Sequence, residues 1–427
     1  MNPLLHILST GTELSSGRST DTNGPYIARK FADCGFRVHG MSILPDNPAV
    51  LLETIREIAE KKEISGIVIT GGLGPTADDH TIDVLSELTG FPPVEDENAL
   101  RRLEIVAKRY AGRLRLQDAR RQVRILEGSK GVPNNSGLAP GVMIDLKRGE
   151  RTLLLAAMPG VPQEMKPMFE EHVLPEYVRR FPVSEIYRRI FHIYGVGESV
   201  FQAKFFGRGK AAAENEGVVR PEDLSDSFEW GITAGAGQIK IFFESKNQSE
   251  VDNLFAKAKE AYADSFLPGP EIDLLHELCV ERGIKLSGAE SCTGGLTAKI
   301  LTDRPGSSAF FLGSVTAYSN DVKHDILGVS EEILATKGAV SEECAVLMAE
   351  GALRVFKTDF AFSITGIAGP DGGTAEKPTG TVFFGLAGRE RKTKAGKLFF
   401  PMDRGRVREY SAHLVLFHLY KFIHDAS

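Results

Sequence analysis

The chain has 427 residues, a length that suggests two or three domains rather than a single core. Its composition, 42% hydrophobic and 25% charged, is that of an ordinary soluble globular protein, and a formal net charge of -6 argues against non-specific nucleic-acid binding. Cys34, Cys279, Cys292 and Cys344 are scattered with no CxxC pair, which speaks against a disulfide framework or a zinc signature and fits a reducing compartment.

The predicted elements open as an alternation of strand and helix. Strands are expected at 4–8, 36–43 and 66–70, with helices at 22–34 and 49–62 between them. Such alternation implies crossover connections and a mainly parallel sheet covered on both faces. Helical stretches are expected from 77 to 126, then strands at 141–145 and 152–157 and a helix at 162–180. A different region follows, with strands at 188–194 and 238–244 around a polar connection, 210–226, and then a helix at 249–266. Leu267-Pro268-Gly269-Pro270 is a strong breaker, and a domain boundary is placed there. Beyond it the α/β alternation restarts, with strands at 284–289, 314–318, 360–365 and 381–387. Helices are expected at 271–282, 296–302, 322–327, 341–355 and from about 404 onward. No stretch approaches the ~18 apolar residues of a membrane span. The opening MNPLLHILSTGTEL completes no secretory signal, so a soluble, cytoplasmic protein is expected.

In the C-terminal third, Ala289-Glu290-Ser291-Cys292-Thr293-Gly294-Gly295 sits where a strand gives way to a helix, the favoured ligand position of an open α/β sheet. Glycines there allow close approach, and free N–H groups at a helix start attract phosphate or an oxyanion. Ser291 is a candidate nucleophile if a base is near, and Lys299 and Tyr318 are the bases on offer. The plainer alternative is that Ser291 and Thr293 only cap the helix. Cys292 is the rival nucleophile, because a thiol at a helix start is expected to ionise more readily. A second glycine-rich loop, Thr365-Gly366-Ile367-Ala368-Gly369-Pro370-Asp371-Gly372-Gly373, follows another buried strand and can face the first across one crevice. Asp403-Arg404-Gly405-Arg406-Val407-Arg408 places arginines at the start of the last helix, where they oppose the helix dipole and call for an anion.

In the N-terminal third the same pattern holds. Thr10-Gly11-Thr12-Glu13 follows the first strand, Asp21-Thr22-Asn23 opens a helix, and Asp46 follows the second strand. The third strand runs into Thr70-Gly71-Gly72-Leu73-Gly74-Pro75-Thr76-Ala77-Asp78-Asp79. Glycine-rich turns suit phosphate, and Glu13, Asp46, Asp78 and Asp79 are candidate oxygen ligands for a hard divalent ion. The alternative for Asp78-Asp79 is an ordinary acidic helix start.

From about residue 271 to the end, AESCTGG, TDRPGSSAFF, AYSN, GAVS, ITGIAGPDGGTAEKPTGT and the DR element closely resemble the C-terminal domain of the CinA family, the nicotinamide mononucleotide amidohydrolases. The resemblance implies a three-layer α/β/α fold and hydrolysis of nicotinamide mononucleotide to nicotinic acid mononucleotide and ammonia. Ser291 would attack the carboxamide, Lys299 and Tyr318 would assist proton transfer, and Arg404 or Arg408 would serve the site. Glu290, Thr293, Gly294, Gly295, Asn320, Gly366, Ala368, Gly369, Asp371 and Gly372 would line it, with no metal or other cofactor. Residues 3 to 175 resemble the molybdopterin-binding-like domain of the same family through GTEL, DTN, TGGLGPTADDHT, NNSGLAPG and MPGVPQEM. That likeness implies a metal-dependent ADP-ribose pyrophosphatase using cobalt, manganese or magnesium. Thr10, Gly11, Glu13, Asn23, Gly71, Gly72, Gly74, Pro75, Thr76, Asn135, Pro159 and Gly160 would hold its substrate.

The organisation expected is therefore α/β throughout. A molybdopterin-binding-like domain at 1–180 precedes a small α+β middle domain at 181–267 and the amidohydrolase domain at 271–427. A homodimer acting on small nucleotides, with no nucleic-acid or membrane partner, goes with the resemblance. Two alternatives remain: a non-catalytic N-terminal module binding molybdopterin-like nucleotides, and a regulatory protein of DNA uptake or damage response, which no basic stripe supports.

Overall fold

The computed structural model describes residues 3–109, 119–207 and 219–425, so parts of the predicted stretches 77–126 and 210–226 lie outside the described residues. The chain separates into two compact units, 1–185 and 186–427.

In the first unit β1 (Leu4–Thr10), β2 (Arg37–Leu44) and β3 (Ile64–Thr70) are parallel. A small antiparallel ribbon of β4 (Pro93–Glu95) and β5 (Arg124–Leu126) stands apart from them. The strands β6 (Lys130–Val132), β7 (Gly141–Arg148) and β8 (Arg151–Met158) complete a six-stranded sheet of order β2-β1-β3-β8-β7-β6. β8 continues the parallel set, β7 pairs antiparallel with β8, and β6 pairs antiparallel with β7. β3 reads ISGIVIT because both its faces are covered. Ile67 and Ile69 join a core shared with the helix Pro48–Glu60, and Val68 joins the opposite core with the helix Asn23–Asp33. Gly66 interrupts the apolar run where a Cβ would stand 2.4 Å from the ring of Tyr177. That fully buried tyrosine donates its hydroxyl to the Ile67 and Leu154 carbonyls, at 3.1 and 2.7 Å.

The stretch 77–126 is not continuously helical. Thr81–Thr89 ends at Gly90, whose φ of 78° closes the helix, and Pro92 and Pro93 prevent resumption before Glu97–Arg109.

In the second unit β9 (Tyr187–Tyr194), β10 (Glu229–Ala234), β11 (Gln238–Ser245) and β12 (Phe266–Leu267) form an antiparallel sheet of order β10-β11-β9-β12. β10 was not expected: as an edge strand reading EWGITA it lacks clean alternation. The helix Glu198–Phe206 was also unexpected, since Phe205 and Phe206 are both buried and blur the helical period.

The sheet that follows comprises β13 (Leu286–Glu290), β14 (Phe311–Thr316), β15 (Phe360–Gly366), β16 (Thr381–Gly388) and β17 (Arg391–Phe399), in the order β14-β13-β15-β16-β17. The first three strands in that order are parallel, β16 pairs antiparallel with β15, and β17 pairs antiparallel with β16. Phe362 and Ile364 face the helices Glu271–Arg282 and Arg404–His424, while Ala289 and Ala361 face the helix Glu342–Phe356. This is the expected α/β/α layering. β17, reading RKTKAGKLF, escaped prediction because its lysines mask the strand period, although they suit a sheet edge.

The boundary expected at 267–270 falls inside one compact unit. Tyr194 of β9 belongs to the core of the C-terminal sheet, with its ring 4.4 Å from that of Phe417 and 9° from parallel. Its hydroxyl donates to Glu271 at 2.5 Å and accepts the Glu271 N–H at 2.9 Å.

Candidate functional site

Parallel pairing brings the carboxyl ends of β13, β14 and β15 side by side. Ser291, the first residue after β13, donates its N–H to the Ile364 carbonyl of β15 at 2.8 Å, and Ala317 beyond β14 donates to the Glu290 carbonyl at 2.8 Å. Gly294 and Gly295 both have positive φ, 59° and 92°, which only glycines adopt in succession without strain. The final helix then ties the loops together. Arg404 donates to the Gly369 carbonyl at 2.7 Å and to the Tyr318 hydroxyl at 3.2 Å. Arg408 donates to the Thr293 carbonyl at 2.7 Å. Both arginines thus serve this end of the sheet, and among the described residues neither is paired with a carboxylate.

Several expected roles change. Glu290 turns its carboxylate to the start of the following helix. It is fully buried, and its carboxylate accepts the N–H groups of Gly295, Thr297 and Ala298 at 3.0, 3.0 and 2.8 Å. Lys299 is 65% exposed and paired with Asp303 at 2.6 Å, so it is a solvated surface lysine rather than a buried base. Cys292 lies in the apolar core, where burial pushes its thiol up to about 12, the reverse of the helix-start effect expected. Gly295 cannot offer its N–H to an oxyanion because Glu290 already takes it. Asn320, Asp371 and Gly372 are exposed, and no hydrogen bond among the described residues joins them to the Ser291 loop. Ala368 and Gly369 are buried, and Gly366 has no room for a Cβ, which would meet the Thr381 carbonyl at 2.8 Å.

Lys323 was missed. It is 1% exposed, and its Nζ donates to the Ala317 and Tyr318 carbonyls at 2.8 and 3.3 Å. Burial lowers its pKa from the ordinary value, against the opposing influence of the Cys344 and Cys292 thiols. Its neighbours read DVKHD and carry no signal of burial.

In the first unit, the carboxyl ends of β1, β2 and β3 open on a cavity of about 810 Å³. Thr10, Gly11, Glu13, Asn23, Asp46, Gly71, Gly72, Gly74, Pro75, Asp78, Asp79, Pro159 and Gly160, all expected from sequence, line it. Thr76 and Asn135 do not. Thr76 instead donates its N–H and hydroxyl to Asp79, at 2.9 and 2.5 Å. Asn135 is exposed, whereas Asn134 is buried and donates to Glu164 at 2.7 Å and to the Ala139 carbonyl at 2.9 Å. Neither asparagine of the NN pair lines the cavity, whereas the acids Asp21 and Glu164 do. Asp21 organises the helix start, accepting from the Ser9 hydroxyl at 2.7 Å and the Asn23 N–H at 2.9 Å.

The four expected metal ligands line one cavity without forming a ready-made cluster. Among the described residues no three His, Cys, Asp or Glu side chains form a group that could hold an ion. Asp46 instead accepts from the Thr10 hydroxyl at 2.9 Å and the Thr12 N–H at 2.8 Å. Six carboxylates (Glu13, Asp21, Asp46, Asp78, Asp79 and Glu164) nonetheless line the cavity, with no lysine or arginine among the described lining residues. Such a donor set fits an ion that arrives with a diphosphate and takes one or two protein carboxylates, rather than a preformed cage.

The family model described as CinA C-terminal domain matches residues 272–423, and that described as probable molybdopterin binding domain matches residues 6–179. A CinA-like protein of Leptospira interrogans is 39% identical over 427 residues, covering 98% of this chain and 98% of the relative. The chain belongs to the CinA family. Another CinA-like protein, from Leptospira biflexa, is 38% identical over 429 residues, covering 99% of this CinA-family chain and 98% of its own length. Among solved structures, the competence/damage inducible protein CihA from Agrobacterium tumefaciens is 39% identical. That match covers 37% of this CinA-family chain and 98% of the other, with a TM-score of 0.35. No helix among the described residues is long and apolar enough to cross a membrane.

Proposed function

We propose that the C-terminal site hydrolyses the carboxamide of nicotinamide mononucleotide, giving nicotinic acid mononucleotide and ammonia. The observation that carries this reading is the convergence of the Ser291 loop, Tyr318 and the 366–373 loop under Arg404 and Arg408, two guanidinium groups without carboxylate partners among the described residues. They suit the phosphate of a mononucleotide. Ser291 Oγ attacks the carboxamide carbon and gives its proton to a neutral amine. The C–N bond then breaks, that proton leaves with ammonia, and water hydrolyses the resulting ester. Lys323 is better suited than Lys299 to be that amine, because burial already disfavours its charged form. The test is ammonia release by wild type and Ser291→Ala. The variant should lose about 10³-fold or more of turnover, whereas Cys292→Ala keeps most of it. Loss of turnover on treatment with iodoacetamide, with Ser291→Ala still active, overturns the serine mechanism.

For the N-terminal half the reading is a cavity for a nucleotide diphosphate of the ADP-ribose type, cleaved to AMP and ribose 5-phosphate. A divalent ion entering with the diphosphate would offset the six lining carboxylates, with Asp46, Asp78 and Asp79 at hand to hold it. It would supply charge neutralisation at the phosphates. Gly11, Gly71, Gly72 and Gly74 bring backbone to the cavity wall, where it could meet the phosphates. AMP release from ADP-ribose with Co²⁺, Mn²⁺ or Mg²⁺ tests this, and calorimetry that detects ADP-ribose binding without release would make the half a binding module.

A further inference from the structure

Glu290 directly precedes the proposed nucleophile, yet its carboxylate is fully committed to the start of the helix Leu296–Thr302. Oε2 accepts from Gly295 and Thr297, both at 3.0 Å, and Oε1 from Ala298 at 2.8 Å. These are donors that a helix start would otherwise present to a ligand. Ser291 donates to the Ile364 carbonyl at 2.8 Å, Gly294 to the Ser291 carbonyl at 3.1 Å, and Leu296 to the Thr293 carbonyl at 3.2 Å. Neither the Cys292 nor the Thr293 N–H has a backbone acceptor among the described residues, and the Cys292 N–H meets only its own thiol. They are the two that follow the nucleophile in sequence, where an oxyanion would develop. Arg408 holds the Thr293 carbonyl and Ala317 holds the Glu290 carbonyl, so the peptides on both sides of this pair are fixed.

We propose that Glu290 is a positioning residue for amide hydrolysis. By taking the N–H groups of 295, 297 and 298 it sets the turn that leaves the Cys292 and Thr293 N–H groups to receive the tetrahedral oxyanion. The inference rests on the amidohydrolase reading above. The role needs a carboxylate, because all three partners are donors. A glutamine would place its own NH₂ among them and leave a buried N–H unpaired.

The test is Glu290→Gln in the full chain, measured with nicotinamide mononucleotide. Its kcat should fall about 10- to 100-fold while KM stays within about twofold, because the affected interaction forms mainly in the transition state. Binding of nicotinic acid mononucleotide, followed by calorimetry, should match wild type. Equal loss of product binding together with a lowered melting temperature shows a purely structural role and overturns the proposal. In wild type, amide hydrogen exchange should be slow at 295, 297 and 298 and faster at 292 and 293, and equal rates overturn it without any variant. Failure of wild type to release ammonia refutes the amidohydrolase reading itself. An active wild type with an unaltered Glu290→Gln refutes only the assignment of Glu290.

Discussion

Lys323 is where one side chain sets both a cost to the fold and a capacity of the site. Its amine is buried against two carbonyls with no carboxylate paired to it among the described residues, and burial holds its pKa below the ordinary 10.5. The unfolded chain therefore binds a proton that the folded chain resists. The sign follows from linkage: stability rises with pH through the window between the lowered folded pKa and 10.5. Lys323→Met should remove that slope in denaturant titrations at several pH values, without destabilising the protein near neutrality. The same variant should lower ammonia release by about 10²-fold or more, the usual scale for losing a general base. Lys299→Ala should leave release close to wild type, since its partner is the exposed Asp303. In wild type, kcat should rise with pH along a limb centred below the ordinary lysine range. A limb unchanged in Lys323→Met would place the base elsewhere.

At the scale of elements, the strand β9 and the helices Glu271–Arg282 and Arg404–His424 meet at a buried polar cluster. Glu271 is 1% exposed, accepting from the Tyr194 hydroxyl at 2.5 Å and lying 2.5 Å from His413 Nδ1. Burial opposes the charge on both ionisable partners, but their contact wins. Glu271 ends below its ordinary 4.5 and His413 above its ordinary 6.5. The Glu271 contribution is complete above 4.5 and fades as pH falls through the lowered folded pKa, whereas the His413 contribution is complete below 6.5 and fades as pH rises through the raised one. The cluster therefore stabilises most between those two values. His413→Ala should flatten the alkaline limb of the stability profile in pH-dependent thermal melts. Tyr194→Phe, which leaves a buried carboxylate and an N–H short of a partner, should cost about 1–3 kcal/mol in denaturant unfolding.

At the scale of the whole molecule, the second unit contains both the middle sheet and the C-terminal sheet. A fragment beginning at residue 186 should therefore melt above one beginning at residue 271. The shorter piece loses the ring of Tyr194 from its core and uncovers Glu271. Scanning calorimetry of the two fragments checks this, and equal melting temperatures would show that the middle sheet contributes no stability to its neighbour.

The sequence by itself determined the layering, the parallel strands and the placing of glycine turns at strand ends. Apolar periods and glycine or proline breaks are local signals, and β3 and the 291–295 turn carry them plainly. Strands whose pattern was masked by charge or exposure, β17 and β10, were not legible in that way. Only the tertiary structure decided which polar group meets which. Glu290 and Glu13 look alike in a sequence, as do Lys299 and Lys323 or Asn134 and Asn135. Asn134 finds Glu164 from 30 residues away, and His413 finds Glu271 from 142. Burial and pairing at such separations arise when strands and helices pack, so the side chain that is poised and the one that is merely solvated become distinct only in the folded chain.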